Sequence, residues 1–295
     1  MSLVINHNLM AMSAARYLSI SYNRLSTSVS RLSSGLRINS AMDDAAGLAI
    51  RETMRTDIRV LNQGVRNAND AMSLIQTADG ALSVIDEKLT RMKELAEQAA
   101  TGTYTTAQRL IMDSEFQAMA SEITRIATAT DFNGVKLLDG SLSGTGGTPG
   151  TTGQRLKVHF GSGNSSAEDY YYIAINASTA SALGVGNATG VGTAGRTIST
   201  QAAAQGSLTA IDSAITDKDN IRAALGALGN RLANTVSNLT IQAENLQAAE
   251  SRISDVDVAT EMTEFTRNQI LTQAAVAMLA QANSLPQLAL QLIGG

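Results

Sequence analysis

The sequence contains no cysteine and no tryptophan, two prolines in 295 residues, and only 3% aromatic side chains. Without cysteine there is no disulfide framework, no thiolate metal site and no cysteine nucleophile. Histidine is nearly absent too, and neither His7 nor His159 belongs to a His-Glu-x-x-His zinc pattern. No glycine-rich phosphate loop follows a strand, and no nucleophile sits in a recognisable elbow, so neither an enzyme nor a cofactor or metal site is expected.

Charge is missing in two places. Residues 1–42 hold no acid against Arg16, Arg24, Arg31 and Arg37, and residues 268–295 hold no charge at all. The uncharged stretch does not read as a membrane span. Gln269, Gln273, Gln281, Asn283, Gln287 and Gln291 interrupt it, and its longest apolar run, residues 274–280, falls far short of the roughly 20 residues a span needs. No basic segment precedes an apolar core at the N-terminus, so no cleavable secretory signal is expected. The net charge of −4 argues against a nucleic-acid partner.

What is abundant is Ala, Ser, Thr, Asn and Gln among regularly spaced Leu and Ile, the composition of long packed helices. Leu18, Leu25 and Leu32 repeat at seven, with Tyr22, Val29 and Leu36 repeating between them, which predicts one narrow apolar seam on a helix. Gly35 is placed to end that helix in the left-handed region, and Ser40 with Asp43 reads as the start of the next. At the other end Leu271, Met278, Leu285 and Leu292 repeat at seven, with Ala275, Ala282 and Ala289 between. Residues 244–264 carry six acids against Arg252 alone, opposite in sign to the N-terminal arginines. Two narrow seams of matching length and opposite charge predict that the chain ends pair.

Between them, Met54, Leu61, Ala68, Ile75, Leu82, Leu89 and Ala96 predict one long helix over residues 43–100. The second row reads as Ile58, Val65 and Met72, then slips by one to Ala78, Ile85, Met92 and Ala99. Another helix follows, with Phe116 and Ile123 on one row. Alternation at Leu156, Val158 and Phe160 and at Tyr171, Ile173 and Ile175 predicts a β-hairpin with one buried face. Leu225, Leu232, Leu239, Leu246 and Ile253 form the cleanest seven-residue row, with Thr235 and Gln242 assigned to the row beside it. Arg51, Arg55 and Arg59 read as a solvated helix face or a set of contacts between subunits.

Arg31-Leu32-Ser33-Ser34-Gly35-Leu36-Arg37-Ile38-Asn39, Asp43-Asp44-Ala45-Ala46-Gly47-Leu48-Ala49-Ile50, Ser251-Arg252-Ile253-Ser254-Asp255-Val256-Asp257 and Ala280-Gln281-Ala282-Asn283 together resemble the bacterial flagellins. The resemblance spans roughly residues 1–140 and 200–295, and the large outer domains of longer members are missing. It implies a mainly α fold: long antiparallel helices forming a coiled-coil-like bundle from both chain ends, with a small β-hairpin region in the middle. It implies an inner domain of residues 1–44 plus 251–295. A long-helix domain of residues 45–250 would carry exposed loops around 141–153 and 184–196. The implied function is a structural subunit that self-assembles into the hollow helical filament used for motility, exported by the flagellar type III route. The self-assembly seams would be Leu18, Tyr22, Leu25, Val29, Leu32, Leu36, Leu271, Met278, Leu285 and Leu292. The implied partners are further copies of the chain, an export chaperone and a filament cap. Arg91, Leu95 and Glu115 match positions through which some flagellins bind a Toll-like innate immune receptor. The alternatives are a hook-filament junction protein and, from another class, the helical hairpin of a chemotaxis receptor, which would need membrane spans.

Overall fold

The computed structural model describes residues 7–144, 155–166, 168–186 and 196–293, with side chains placed up to residue 284 in the last segment. Among these residues are five helices: α1 (Leu9–Ser34), α2 (Ala45–Ala100), α3 (Thr106–Ala129), α4 (Gln201–Ser254) and α5 (Val258–Ile293). Two antiparallel strand pairs lie between α3 and α4: β1 (Asp131–Phe132) with β2 (Val135–Lys136), and β3 (Leu156–His159) with β4 (Tyr170–Ile173). The fold is thus mainly α with a small hairpin region in the middle. The loops expected around 141–153 and 184–196 fall largely outside the described residues. By packing, the chain divides into two units, Met1–Ile58 with Glu244–Gly295, and Arg59–Ala243.

In the first unit α1 lies antiparallel against α5, as the opposite charge of the two ends predicts. Asn8 holds one end of the pair: its side chain accepts from Ala11 N–H at 3.0 Å, capping α1, and donates to the Ala282 carbonyl at 2.7 Å. Arg31 meets Glu261 at 3.6 Å toward the other end. Gly35, at φ 72°, closes α1 with its N–H on the Arg31 carbonyl, in the role expected of it. Beyond it the chain forms a short antiparallel bridge: Arg37 N–H donates to the Ser254 carbonyl and Val256 N–H to the Gly35 carbonyl. The breaks in both helical halves are thereby fastened to each other.

Ser40 pairs with Asp43 as expected, but in a turn ahead of α2 and not as its cap. The Asp43 carboxylate folds back onto the backbone N–H groups of Asn39 and Ser40, making a turn before the helix. Asp44 supplies the cap, accepting from Gly47 N–H at 2.9 Å. Two adjacent aspartates have divided the turn and the cap between them.

The second unit is built on the long seven-residue rows of α2 and α4, which run antiparallel. On α2, Leu61, Ala68, Ile75, Leu82, Leu89 and Ala96 are all buried. The predicted slip in its second row does not occur. Gly64, Ala71, Ala78, Ile85, Met92 and Ala99 are all buried and stand seven apart throughout, while Val65 and Met72 flank that row, half-buried. Gly64 is where the hairpin comes closest, since a β-carbon there would overlap the Phe160 carbonyl. Phe116, Ala120, Ile123 and Ala127 supply the buried face of α3, which starts in a Thr105–Gln108 capping box. Val158, Phe160, Ile173 and Ile175 are the buried side of the larger hairpin, and the smaller one turns through Asn133 and Gly134, both at positive φ.

Candidate assembly surface

The face of α1 that meets α5 is set by small residues as much as by leucines. Ala11, Ala14, Leu18, Ser21, Leu25, Ser28 and Leu32 are its covered positions, in a strict alternation of three and four, and Ser28 is the most deeply buried of them. Tyr22 and Val29, expected in the seam, stand one residue to the side and are 64% and 49% exposed. α5 repeats the arrangement. Glu261, Phe265, Asn268, Thr272, Ala275, Leu279 and Ala282 face α1, whereas Leu271 and Met278 stand one residue to the other side, exposed. Serine and alanine let the helix axes approach, and at short separation a larger side chain would not fit between them. The side chains of Leu285 and Leu292 lie outside the described residues. Leu36 is half-buried beside the bridge to Asp255.

The consequence is an apolar ridge left in solvent on both helices. Leu9, Met12, Tyr17 and Tyr22 on α1 and Ile270, Val276 and Met278 on α5 are each more than half exposed. A groove of about 820 Å³ runs between the helices, lined by Leu9, Met10, Tyr17, Ile20, Leu271 and Met278 among others. Scattered exposed apolar side chains are ordinary, but this many large ones on one helix pair, with an apolar groove between the helices, mark an interaction surface.

The joint beside this surface is held by hydrogen bonds to charged groups. Arg37 donates to the Ile253 carbonyl at 2.6 Å, and Asn39 donates to Ser30. Arg51, expected on a solvated face or in contacts between subunits, is buried within its own chain and donates to the Ile38 carbonyl at 2.7 Å, while its other nitrogens meet Glu52. Arg55 lies 4.0 Å from Glu250. The N–H of Ser40 first, then its hydroxyl and the N–H of Asn39, hold the Asp43 carboxyl below the ordinary aspartate range. At the start of α5 the Thr260 hydroxyl, with the N–H groups of Thr260 and Ala259, does the same to Asp257.

In the second unit Arg91 donates to Glu115 and to Glu94, each at 2.9 Å, at the surface. Leu95 is not at that surface: it is 2% exposed and packs in the core. The sequence reading also passed over Lys218. It occupies the seven-residue row of Ile211, Leu225, Leu232 and Leu239, 2% exposed, with its ammonium on Asp86 and Asp219. Extending the row one heptad N-terminal of Leu225 reaches it. Gln242 is exposed, and its neighbour Ala243 is the buried residue.

Among the described residues no group of three or more His, Cys, Asp or Glu could hold a metal ion, and no helix is long and apolar enough to cross a membrane. Paired terminal helices whose covered seam is flanked by exposed apolar side chains define a helical subunit with a further interaction surface. The comparisons with known proteins name the family. Residues 5–143 match the bacterial flagellin N-terminal helical region, and residues 208–293 match the bacterial flagellin C-terminal helical region. A flagellin from Halalkalibacterium halodurans is 45% identical over 99% of this chain and 100% of its own length. One from Bacillus subtilis is 43% identical over 98% and 99%. A solved flagellar hook-associated protein from Vibrio parahaemolyticus, 16% identical with a TM-score of 0.56 over 72% of this chain and 100% of its own, shares the fold. The chain belongs to the bacterial flagellin family and is a structural subunit of the extracellular flagellar filament, which drives motility. With full-length flagellins at this identity, the junction-protein alternative is not favoured.

Proposed function

We propose that the ridges beside the α1·α5 seam are the surfaces through which filament subunits join. The carrying observation is that Tyr22, Val29, Leu271 and Met278 remain exposed although the seam next to them is filled by Ser21, Ser28, Thr272 and Leu279. A seam satisfied within one chain leaves these side chains free for other copies, where burying each contributes roughly 1.5–3 kcal/mol. On this reading residues 1–44 and 251–295 form the inner layer of the filament wall and residues 45–250 the next layer out. Leu18, Leu25 and Leu32 hold the subunit's own helices together, and Tyr22, Val29, Leu271 and Met278 hold its neighbours.

The same ridges are what an export chaperone would cover and a filament cap would guide. The family's structural role supports reading the chain as non-enzymatic. An innate immune receptor would read the Arg91–Glu115 pair, since Leu95 is available only as support beneath it. The test of the assembly reading is electron microscopy of purified subunits seeded with sheared filament fragments. Growth by the full chain, and none by a chain lacking residues 251–295 or by a folded Val29→Glu/Leu271→Glu variant, is the expected result. Normal growth by the double variant would remove the ridges from the interface.

A further inference from the structure

Ten of the eleven methionines lie in described segments, and every exposed one falls in the same unit, where only Met54 is half-buried. Met10, Met12, Met42, Met262 and Met278 range from 46% to 97% exposed, and all five belong to the unit formed by the chain ends. Met72, Met92, Met112 and Met119, in the other unit, are half-buried or buried, as is Met54. Met10 and Met278 line the groove from opposite helices. The chain has neither cysteine nor tryptophan, so no thiol or indole competes for an oxidant and the thioethers are its most readily oxidised groups.

We propose that these five methionines are an oxidation site of the unassembled subunit, with peroxides as the reactant class, and that their sulfoxides stop the subunit from joining a filament. This rests on the assembly reading above. The thioether sulfur attacks one peroxide oxygen with a lone pair and the O–O bond breaks. That oxygen stays on sulfur as a sulfoxide after giving up its proton, and the other, taking that one proton, leaves as water from hydrogen peroxide or as an alcohol from an organic hydroperoxide. Sulfur is oxidised by two electrons and the peroxide is reduced by two. The product places a strong acceptor on a flexible side chain that had been apolar. In solvent that acceptor is hydrated. Between subunits it is desolvated against the apolar ridge of the next copy, which disfavours the joined state. Subunits already in the filament have these sulfurs covered, so oxidation acts on supply rather than on the finished polymer.

The experiment treats free subunits and intact filaments with hydrogen peroxide, maps oxygen uptake by peptide mass spectrometry, and measures extension of seeds. In free subunits the five sites are expected to gain oxygen before Met92, and in filaments to lag well behind. Oxidised subunits with an unchanged circular dichroism spectrum are expected to extend seeds roughly tenfold more slowly. Methionine sulfoxide reductase is expected to restore the rate, and a variant with all five changed to leucine, whatever its own starting rate, to show the same rate before and after peroxide. If oxidised wild-type subunits extend seeds at the untreated rate, or the five-leucine variant is inhibited equally, the oxidation site is overturned while the assembly reading stands. If the five oxidise as fast in filaments as in free subunits, the assembly surface itself has been misplaced.

Discussion

At Gly64 the side chain is a single hydrogen because α2 and the end of β3 leave no room for more. A β-carbon there would run into the Phe160 carbonyl, which is backbone and cannot swing aside. Gly64→Ala is therefore expected to lower the stability of the free subunit by about 1–3 kcal/mol, the usual effect of overpacking, read as an earlier midpoint in denaturant. Gly226, within α4, has nothing within 4 Å of the same hypothetical atom. Gly226→Ala is expected to do the opposite and stabilise by about 0.5–1 kcal/mol, through helix propensity alone. A shared direction for both variants would mean that space around the glycine is not what decides the outcome.

Asp43 and Asp257 contribute to the acid response of the first unit. Both carboxylates titrate below the ordinary aspartate value when folded, because N–H and hydroxyl donors prefer the charged form. A depressed folded value means that the stabilisation is complete above the unfolded pKa, about 3.9, and is lost as pH falls through the folded value. The helical signal of free subunits is expected to start falling below about pH 4. Asp43→Asn/Asp257→Asn should be less stable at pH 7 and show a shallower acid limb. An unchanged limb would assign acid sensitivity to other carboxylates.

On the scale of helices, α2 and α4 are aligned by charge as well as by burial. Asp79 meets Arg222 at 2.7 Å, Asp86 meets Lys218 at 2.5 Å and Lys93 meets Asp212 at 2.6 Å, one pair per heptad of α2. A slip of one heptad in one direction would set Lys93 beside Lys218, and in the other Asp86 beside Asp212. Exposed pairs of this kind contribute little stability, but a lysine in a heptad core position penalises wrong registers. Asp86→Ala, which strips one partner from the buried ammonium, is expected to destabilise by roughly 1–3 kcal/mol. Adding Lys218→Leu should recover most of that loss, because an apolar residue suits the row once its register no longer depends on the pair. Thermal unfolding of the double-mutant cycle checks this, and additivity of the two changes would remove the coupling.

For the whole subunit, folding and assembly draw on adjacent rows of the same helices. Val29→Glu alters a side chain that is half exposed in the free subunit, so its unfolding free energy should stay within about 0.5 kcal/mol of the unaltered chain while filament growth fails. Leu25→Ala acts on the covered row, and is expected to loosen the α1·α5 pair before assembly begins. A Leu25→Ala subunit with an unchanged melt would show that α1 takes its order from neighbouring subunits and not from α5.

The amino-acid sequence by itself determined the helical halves, the hairpin between them, the Gly35 helix end, the pairing of oppositely charged chain ends and the family. Each of these depends on period, local turn chemistry or summed charge, all of which are properties of short stretches. Tertiary structure decided which of two neighbouring rows faces a partner. The sequence pattern points to the largest apolar residues, Tyr22, Val29, Val65 and Met72. Close approach of two backbones instead selects Ser21, Ser28, Gly64 and Ala71, which carry no hydrophobic signal. The seven-residue row of Leu225 and Leu232 passes through Lys218, but its pairing with Asp86, 132 positions earlier in the chain, is decided only by the fold. The fold also gave the capping role to Asp44 and left Asp43 the turn, because only the folded path of residues 39–47 shows which N–H groups each carboxylate can reach.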